Sequence, residues 1–313
     1  MSATYTSTAT DTTQEGLILK SGGIKDVFSE FNYYMPPAGG ISEPSTNDLE
    51  LILGTKDQDT RRLHVLDVRG KEDKFTLDQN GFRYVQLQSK MIEPESDDHI
   101  KQVYYPELDE MLRRELKNVS AVYHLGHILR GAPIKQDFSG PTDEAWNKPY
   151  RGQAPAPRVH IDFTRYGIIQ ILPGEFGEAV AKDIVESGRR WMVFSLWKPL
   201  KTVTRDPLGI ADAATVKNRD ELIPLPRIYP DGRTTENIVI KACKEPEKGG
   251  QCVHQWYWMS EQTRDELLMI KIFDSAEKEG EEMRAPHASF SLEGTEYEPI
   301  RESIECRVVV CLD

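Results

Sequence analysis

His160 and Asp162 stand two residues apart in the stretch Arg158-Val159-His160-Ile161-Asp162-Phe163-Thr164, and on a strand such a pair points to one face. An imidazole nitrogen and a carboxylate oxygen converging there, joined by one more histidine, make the 2-His-1-carboxylate set. That set holds non-haem Fe(II) and leaves positions open for a cosubstrate and O2. The pair alone says little. With 7 His and 51 acidic residues in 313 positions, chance supplies about one such spacing, because acids are ordinary surface residues.

Its weight comes from residues much later in the chain. His287 is the candidate third ligand: it comes after Pro286 and ahead of Ala288-Ser289-Phe290, where it can start a strand. Further on, Arg301-Glu302-Ser303 leads into the apolar stretch that ends the chain. Arg301 and Ser303 share one face of an extended chain. A guanidinium and a hydroxyl so placed bind a carboxylate by a bidentate pair with one added hydrogen bond. The distal carboxylate of 2-oxoglutarate asks for this arrangement. Arg307 lies on the same face and is the alternative anchor; its plainer role is an ion pair inside the barrel with Glu305 or another acid.

The elements that must position these residues read mostly as strands. Residues 190–200 form a continuous apolar run ending in Pro199-Leu200, the pattern of a buried central strand. Shorter runs mark strands at 64–68, 82–87, 121–127, 237–242, 252–258 and 267–273, with Asp78-Gln79-Asn80-Gly81 between the first two as a hairpin signal. One helix is clear. Ile100, Val103, Tyr104, Leu108, Met111, Leu112 and Leu116 recur at three-and-four spacing over about 98–117. Asp97 or Asp98 can cap its start, and Pro106 is expected to kink or restart it. After the His-x-Asp strand comes the apolar run 168–172 closed by Pro173, then an expected helix from about 175 to 186 with Gly188 as its C-terminal cap. His124 and His127, three apart, do not share a strand face and read as satisfied polar groups near the pocket rim.

The predicted class is α+β with a mainly β core, a double-stranded β-helix (jelly roll, cupin-like) with flanking helices. A disordered tail over 1–15 precedes a single domain over 16–313. Its part 16–157 bears the helix, and its part from about 158 to 313 is the jelly-roll core.

The net charge of -12 and a pI near 5.2 argue against a nucleic-acid binder, which carries a basic stripe. Mean hydropathy is -0.54, and no apolar run approaches the roughly 20 residues that span a bilayer. The Ser/Thr-rich start lacks the basic and apolar regions of a signal peptide. Four cysteines without C-x-x-C spacing read as reduced structural thiols of a cytoplasmic protein.

Larger blocks carry a resemblance. Leu66-Asp67-Val68-Arg69-Gly70, Leu77-Asp78-Gln79-Asn80-Gly81-Phe82, Val103-Tyr104-Tyr105-Pro106-Glu107, His160-Ile161-Asp162-Phe163-Thr164, Trp197-Lys198-Pro199-Leu200, Trp256-Tyr257-Trp258, Ile270-Lys271-Ile272-Phe273-Asp274-Ser275, Pro286-His287 and Arg301-Glu302-Ser303-Ile304-Glu305 together resemble the fungal hydroxylase/desaturase proteins related to gibberellin desaturase and a cephamycin methoxylation protein. The resemblance runs from about Val27 to the C-terminus. It implies an oxygenase of secondary metabolism that depends on non-haem Fe(II) and 2-oxoglutarate and consumes O2, hydroxylating or desaturating a mostly apolar small molecule. It also implies His160, Asp162 and His287 as metal ligands, with Arg301 on 2-oxoglutarate. Lys198 stands where the family pattern has arginine, and Gly209-Ile210-Ala211-Asp212 replaces a cysteine-containing stretch. These departures bear on substrate contacts.

Trp146, Trp197 and Lys198 are the candidate substrate contacts. Trp191, Trp256, Tyr257 and Trp258 can also line an apolar pocket, although aromatics on strands more often fill cores. Residues 131–157, rich in Pro and Gly and carrying Phe138, Trp146 and Tyr150, read as a long loop. With the arm 16–48 it would close over substrate as a lid; a surface loop or a dimer contact is the plainer alternative. The rival functions are a catalytically silent cupin-like subunit that binds a metabolite or a partner, and a zinc hydrolase on the same three ligands. A methyltransferase is disfavoured, because no glycine-rich loop follows a strand with an acid at nucleotide-binding distance. The expected partners are a small-molecule substrate, without nucleic acid or membrane, and a homodimer or a heterodimer with a related subunit is open to it.

Overall fold

In the computed structural model, which describes residues 25–36, 58–131, 154–216, 219–228, 234–243, 254–278 and 281–313, two sheets enclose a shared interior. One has eight strands in the order β1 (Val27–Tyr34), β2 (Gln58–Asp67), β10 (Trp256–Trp258), β7 (Leu208–Ala211), β12 (His287–Ser289), β5 (His160–Ile161), β9 (Thr234–Ile240) and β8 (Leu222–Ile228). The other has five, in the order β3 (Phe82–Gln86), β11 (Glu266–Asp274), β6 (Arg190–Pro199), β13 (Ser303–Leu312) and β4 (Val119–Arg130). Neighbours run antiparallel except β2 and β10. This is the jelly-roll core expected of the chain.

The long buried run of β6 is explained by what covers its two faces. Trp191, Val193 and Trp197 point to the interior between the sheets, while Met192, Phe194 and Leu196 pack under a helix on the outside. A strand buried on both faces loses the alternation that marks a half-exposed one. The outer cover is a continuous helical segment made of α1 (Asp97–His99), a π-turn (Ile100–Tyr104) and α2 (Tyr105–Glu115). Its stripe of Ile100, Tyr104, Leu108, Met111 and Leu112 is wholly buried. The cap is Ser96, whose side chain accepts from the His99 amide, and not either of the aspartates beyond it. Pro106 falls in the first turn of α2, where its missing N–H costs least, and the π-turn takes up the mismatch before it.

Several expectations need correction. Asp78 to Gly81 does turn, and Gly81 takes a positive φ of 76°, but β2 and β3 go to different sheets, so no hairpin forms. The apolar run before Pro173 is itself a helix, α3 (Arg165–Phe176), with Pro173 inside it, and the helix expected over about 175–186 follows it as α4 (Glu178–Glu186). A short apolar run cannot reveal whether it is strand or helix; Thr164 decides here by accepting the Gly167 amide as N-cap. Residues 27–130 do more than carry a helix, since β1 to β4 extend both sheets. Cys306 and Cys311 are free and buried, but Cys243 is disulfide-bonded to a partner outside the described residues, so the four cysteines are not all thiols. Among the described residues no helix is long and apolar enough to cross a membrane.

The turn after Asp162 is pinned to β9. Thr164 N donates to the Glu236 carbonyl at 2.8 Å, and Thr164 Oγ1 donates to Glu236 Oε1 at 2.7 Å. Gly167 lies so close to the same backbone that a Cβ would strike the Glu236 carbonyl and nitrogen. Gly167→Ala is therefore expected to cost about 1–3 kcal/mol, the range for overpacking a tight site. Chemical denaturation of the variant against the parent chain checks it.

Candidate metal centre and its pocket

Two neighbouring strands and the turn beyond one of them build the centre. His287 on β12 is the register partner of His160 on β5, and their ring centroids lie 4.5 Å apart. Asp162 comes just after β5 and is 1% exposed. His160 Nε2 is 3.7 Å from Asp162 Oδ1, and His287 Nε2 is 4.0 Å from Oδ2. One ligand atom from each of the three lies within 4.8 Å of the others.

The protonation states suit a cation. His160 Nδ1 donates to the Arg158 carbonyl at 2.7 Å, and His287 Nδ1 to the Ala285 carbonyl at 3.2 Å. A carbonyl only accepts, so each Nδ1 carries a proton, and Nε2 is the atom each ring turns towards Asp162. Burial, reinforced by His287, pulls the His160 pKa down to about 4. Burial alone would raise Asp162, but Arg307 and then the two histidines hold it below the ordinary carboxylate range. At neutral pH His160 is thus neutral and Asp162 ionised, as metal ligation requires. Asp162 Oδ2 is buried without a hydrogen-bond partner. A bare buried carboxylate oxygen is costly, and a divalent cation between it and the two Nε2 atoms would satisfy it, so the residues present fit the metal.

The cavity lined by His160 and His287 is walled by both sheets: Leu208 on one, and Ser195, Trp197, Ile270, Arg130 and Glu305 on the other, with Arg301 also in its lining. Arg301 is 3% exposed. Its Nη1 donates to the Asp206 carbonyl at 2.8 Å and to Ser289 Oγ at 3.4 Å, while its Nε has no partner. Its guanidinium carbon lies 5.3 Å from the centroid of the Trp197 ring. Burial, helped by Arg130, brings its pKa down to about 9. Ser303 Oγ is likewise buried without a partner.

Comparison with known proteins gives the family. The profile of the oxidoreductase/YMDC permease-like domain matches residues 31–311. The chain is 33% identical to the alpha-ketoglutarate-dependent dioxygenase phiK of a fungal species (strain ATCC 74256), over 92% of this chain and 96% of that one. The chain belongs to the fungal 2-oxoglutarate-dependent hydroxylase/desaturase family. Further members are the hydroxylase/desaturase CTB9 of Cercospora beticola, 32% identical over 90% of this chain and 85% of that one, and the gibberellin cluster GA4 desaturase of Gibberella fujikuroi, 29% identical over 93% and 97%. Among solved structures, the iron and alpha-ketoglutarate-dependent endoperoxidase NvfI shares the fold, with a TM-score of 0.72 at 22% identity, covering 93% of this chain and 99% of that one.

The other residues singled out in this oxygenase are dispersed. Trp197 lines the cavity, but Lys198, the next residue on β6, is on the outer face. It lies 5.4 Å from the centroid of the Tyr104 ring and donates to the Arg264 carbonyl at 3.0 Å, away from the cavity. Burial, and after it Arg264, lowers its pKa from 10.5 to about 8. Folded protein therefore sheds this proton near pH 8 while unfolded chain keeps it to about 10.5, so stability gains as pH rises between the two. Lys198→Met is expected to be more stable at pH 7 and to lack that rise, as urea melts at pH 7, 9 and 10 will show.

Trp146 lies outside the described residues, with most of the expected lid. Trp191, Trp256 and Trp258 fill the core between the sheets. His124 and His127 pack against the helical cover and not at the cavity: His124 Nε2 pairs with Asp109 at 2.8 Å and its ring stacks on Tyr105, while His127 Nε2 is 3.2 Å from Asp97. Arg130 and Ser195 went unmarked in the sequence. Ser195 carried a usable signal, a lone hydroxyl in an otherwise apolar central strand, whereas nothing local distinguishes Arg130.

Proposed function

We propose that His160, Asp162 and His287 hold Fe(II), and that Arg301 with Ser303 holds the distal carboxylate of 2-oxoglutarate, so that the chain hydroxylates or desaturates a mostly apolar small molecule of fungal secondary metabolism. One domain over residues 16–313 carries the whole activity. The observation that carries the reading is the Asp162 carboxylate, its Oδ2 unpartnered, beside two imidazoles whose Nδ1 atoms are already tied to backbone carbonyls. Bound there, Fe(II) supplies O2 activation coupled to oxidative decarboxylation of 2-oxoglutarate.

The chain's own residues do the rest. The two carbonyls orient the imidazoles before any ion arrives, which lowers the cost of binding it. Arg301 is held by one nitrogen and keeps Nε for a carboxylate; a charged pair there would offset the burial that depresses it. Trp197, against the guanidinium, and Ile270 line the cavity with apolar surface, and a drier cavity strengthens the pair. Leu208 adds a third apolar side chain to that lining.

Anaerobic titration of the full chain with Fe(II) and then 2-oxoglutarate tests the reading. A metal-to-ligand charge-transfer band that appears only with both is the expected result. Fe(II) binding without the band would favour a hydrolytic metal site, and no Fe(II) binding would favour a silent binding subunit.

A further inference from the structure

Behind the proposed ligand Asp162 lies a buried chain of polar side chains that the reaction does not itself call for. Arg307 Nη2 donates to Asp162 Oδ1 at 2.8 Å and also lies 2.7 Å from Glu305 Oε1. Ser195 Oγ donates to that same Glu305 oxygen at 3.0 Å, and Arg130 Nη2 stands 3.8 Å from the other. The Arg307 guanidinium carbon is 5.3 Å from the ring centroid of Phe163, the residue next to Asp162. Ser195 and Arg307 are register partners on β6 and β13, so the relay is built across the central pair of one sheet and reaches over to the other.

We propose that Arg307 is the positioning residue for Asp162, capping Oδ1 so that the carboxylate meets the metal through Oδ2 alone, with Glu305 and Ser195 fixing the guanidinium. The proposal rests on the ligand set given under Proposed function. A carboxylate with both oxygens free can chelate an ion through both and take a position that a 2-His-1-carboxylate site must keep open for its cosubstrates. One oxygen here is engaged by a charge-assisted hydrogen bond, and the other is buried with no partner. The two guanidiniums, Arg307 and Arg130, match the two carboxylates, Asp162 and Glu305, in number, so the cluster holds Asp162 ionised at no net charge of its own. The same contacts give Arg307 a task other than 2-oxoglutarate binding, since both acids already claim it.

Co(II) titration of the full-length apoprotein, followed by visible absorbance with thermal melts of the same samples, tests this. Arg307→Gln is expected to weaken Co(II) binding about 10–100-fold, the usual cost of losing an outer partner of a ligand, and to change the ligand-field bands as the carboxylate turns. Arg307→Lys, which keeps the charge but on a shorter side chain without the planar fork, should fall between, and Glu305→Gln should shift the affinity in the same direction by less. Arg301→Gln should leave Co(II) affinity as it is. Parental Co(II) affinity and spectrum in folded Arg307→Gln would overturn the proposal, and so would a lowered melting temperature with Co(II) binding unchanged. If Arg307→Gln does not fold, Arg307→Lys and Glu305→Gln decide on the same two readouts. Asp162→Ala separates the levels: parental Co(II) affinity there sinks the ligand assignment itself, whereas weakened binding there beside an unaffected Arg307→Gln sinks only the role of Arg307.

Discussion

Asp162→Ala is expected to lose iron and turnover together while remaining folded. Asp162 is almost wholly buried, its carboxylate lies beside both Nε2 nitrogens, and its Oδ2 lacks a hydrogen-bond partner. Removing it leaves two imidazoles without an anionic partner, a poor site for a divalent ion. The loss should exceed the roughly 100-fold upper range seen when only an outer partner is removed. The fold should survive because Arg307 keeps Glu305 as counter-ion, so no charge is left bare in the interior. Iron content by metal analysis after desalting, with product formation on the same sample and circular dichroism for the fold, checks it. Full iron and full activity in the variant would remove His160, Asp162 and His287 from the metal site.

Arg301→Lys is expected to raise the KM for 2-oxoglutarate by about 10-fold or more, because a charged hydrogen bond contributes about 1.5–3 kcal/mol and 1.4 kcal/mol is a factor of ten. The lysine keeps the charge but not the fork. It cannot donate to the Asp206 carbonyl and Ser289 as Arg301 does and still present two parallel donors to a carboxylate. Iron retention should not change, since Arg301 touches none of the three ligands. The comparison with Arg307→Lys is decisive. If that variant raises the KM for 2-oxoglutarate while Arg301→Lys does not, the two arginines exchange roles, and the guanidinium between Asp162 and Glu305 becomes the anchor.

Much of this protein could be read from residue order alone. The apolar strands β6 and β13, the helical stripe from Ile100 to Leu112, and the shared face of His160 and Asp162 come from local periodicity, which the backbone obeys whatever packs against it. So does the common face of Arg301, Ser303 and Arg307, which lie two or four residues apart. Local pattern could not say which arginine meets which acid. That depended on β13 lying beside β6 in the register that puts Arg307 opposite Ser195, and on β5 crossing to within reach of it from the other sheet.

Lys198 shows the same limit from the other side. Beside Trp197 in sequence it looked like a pocket residue, yet the one-residue step turned it to the helix, because successive side chains on a strand face opposite ways. The run after Asp162 became helix because Thr164 capped it and Gly167 let it approach Glu236, and neither contact is visible in hydrophobic pattern. The sequence by itself determined which residues could bind a metal and a carboxylate, since that is a matter of side-chain chemistry and short spacing. Only the tertiary structure decided that His287 comes opposite His160, that Arg130 and Ser195 join the cavity, and that Arg307 turns to Asp162. Those are long-range pairings, set by strand register and by the requirement that every buried charge find a partner.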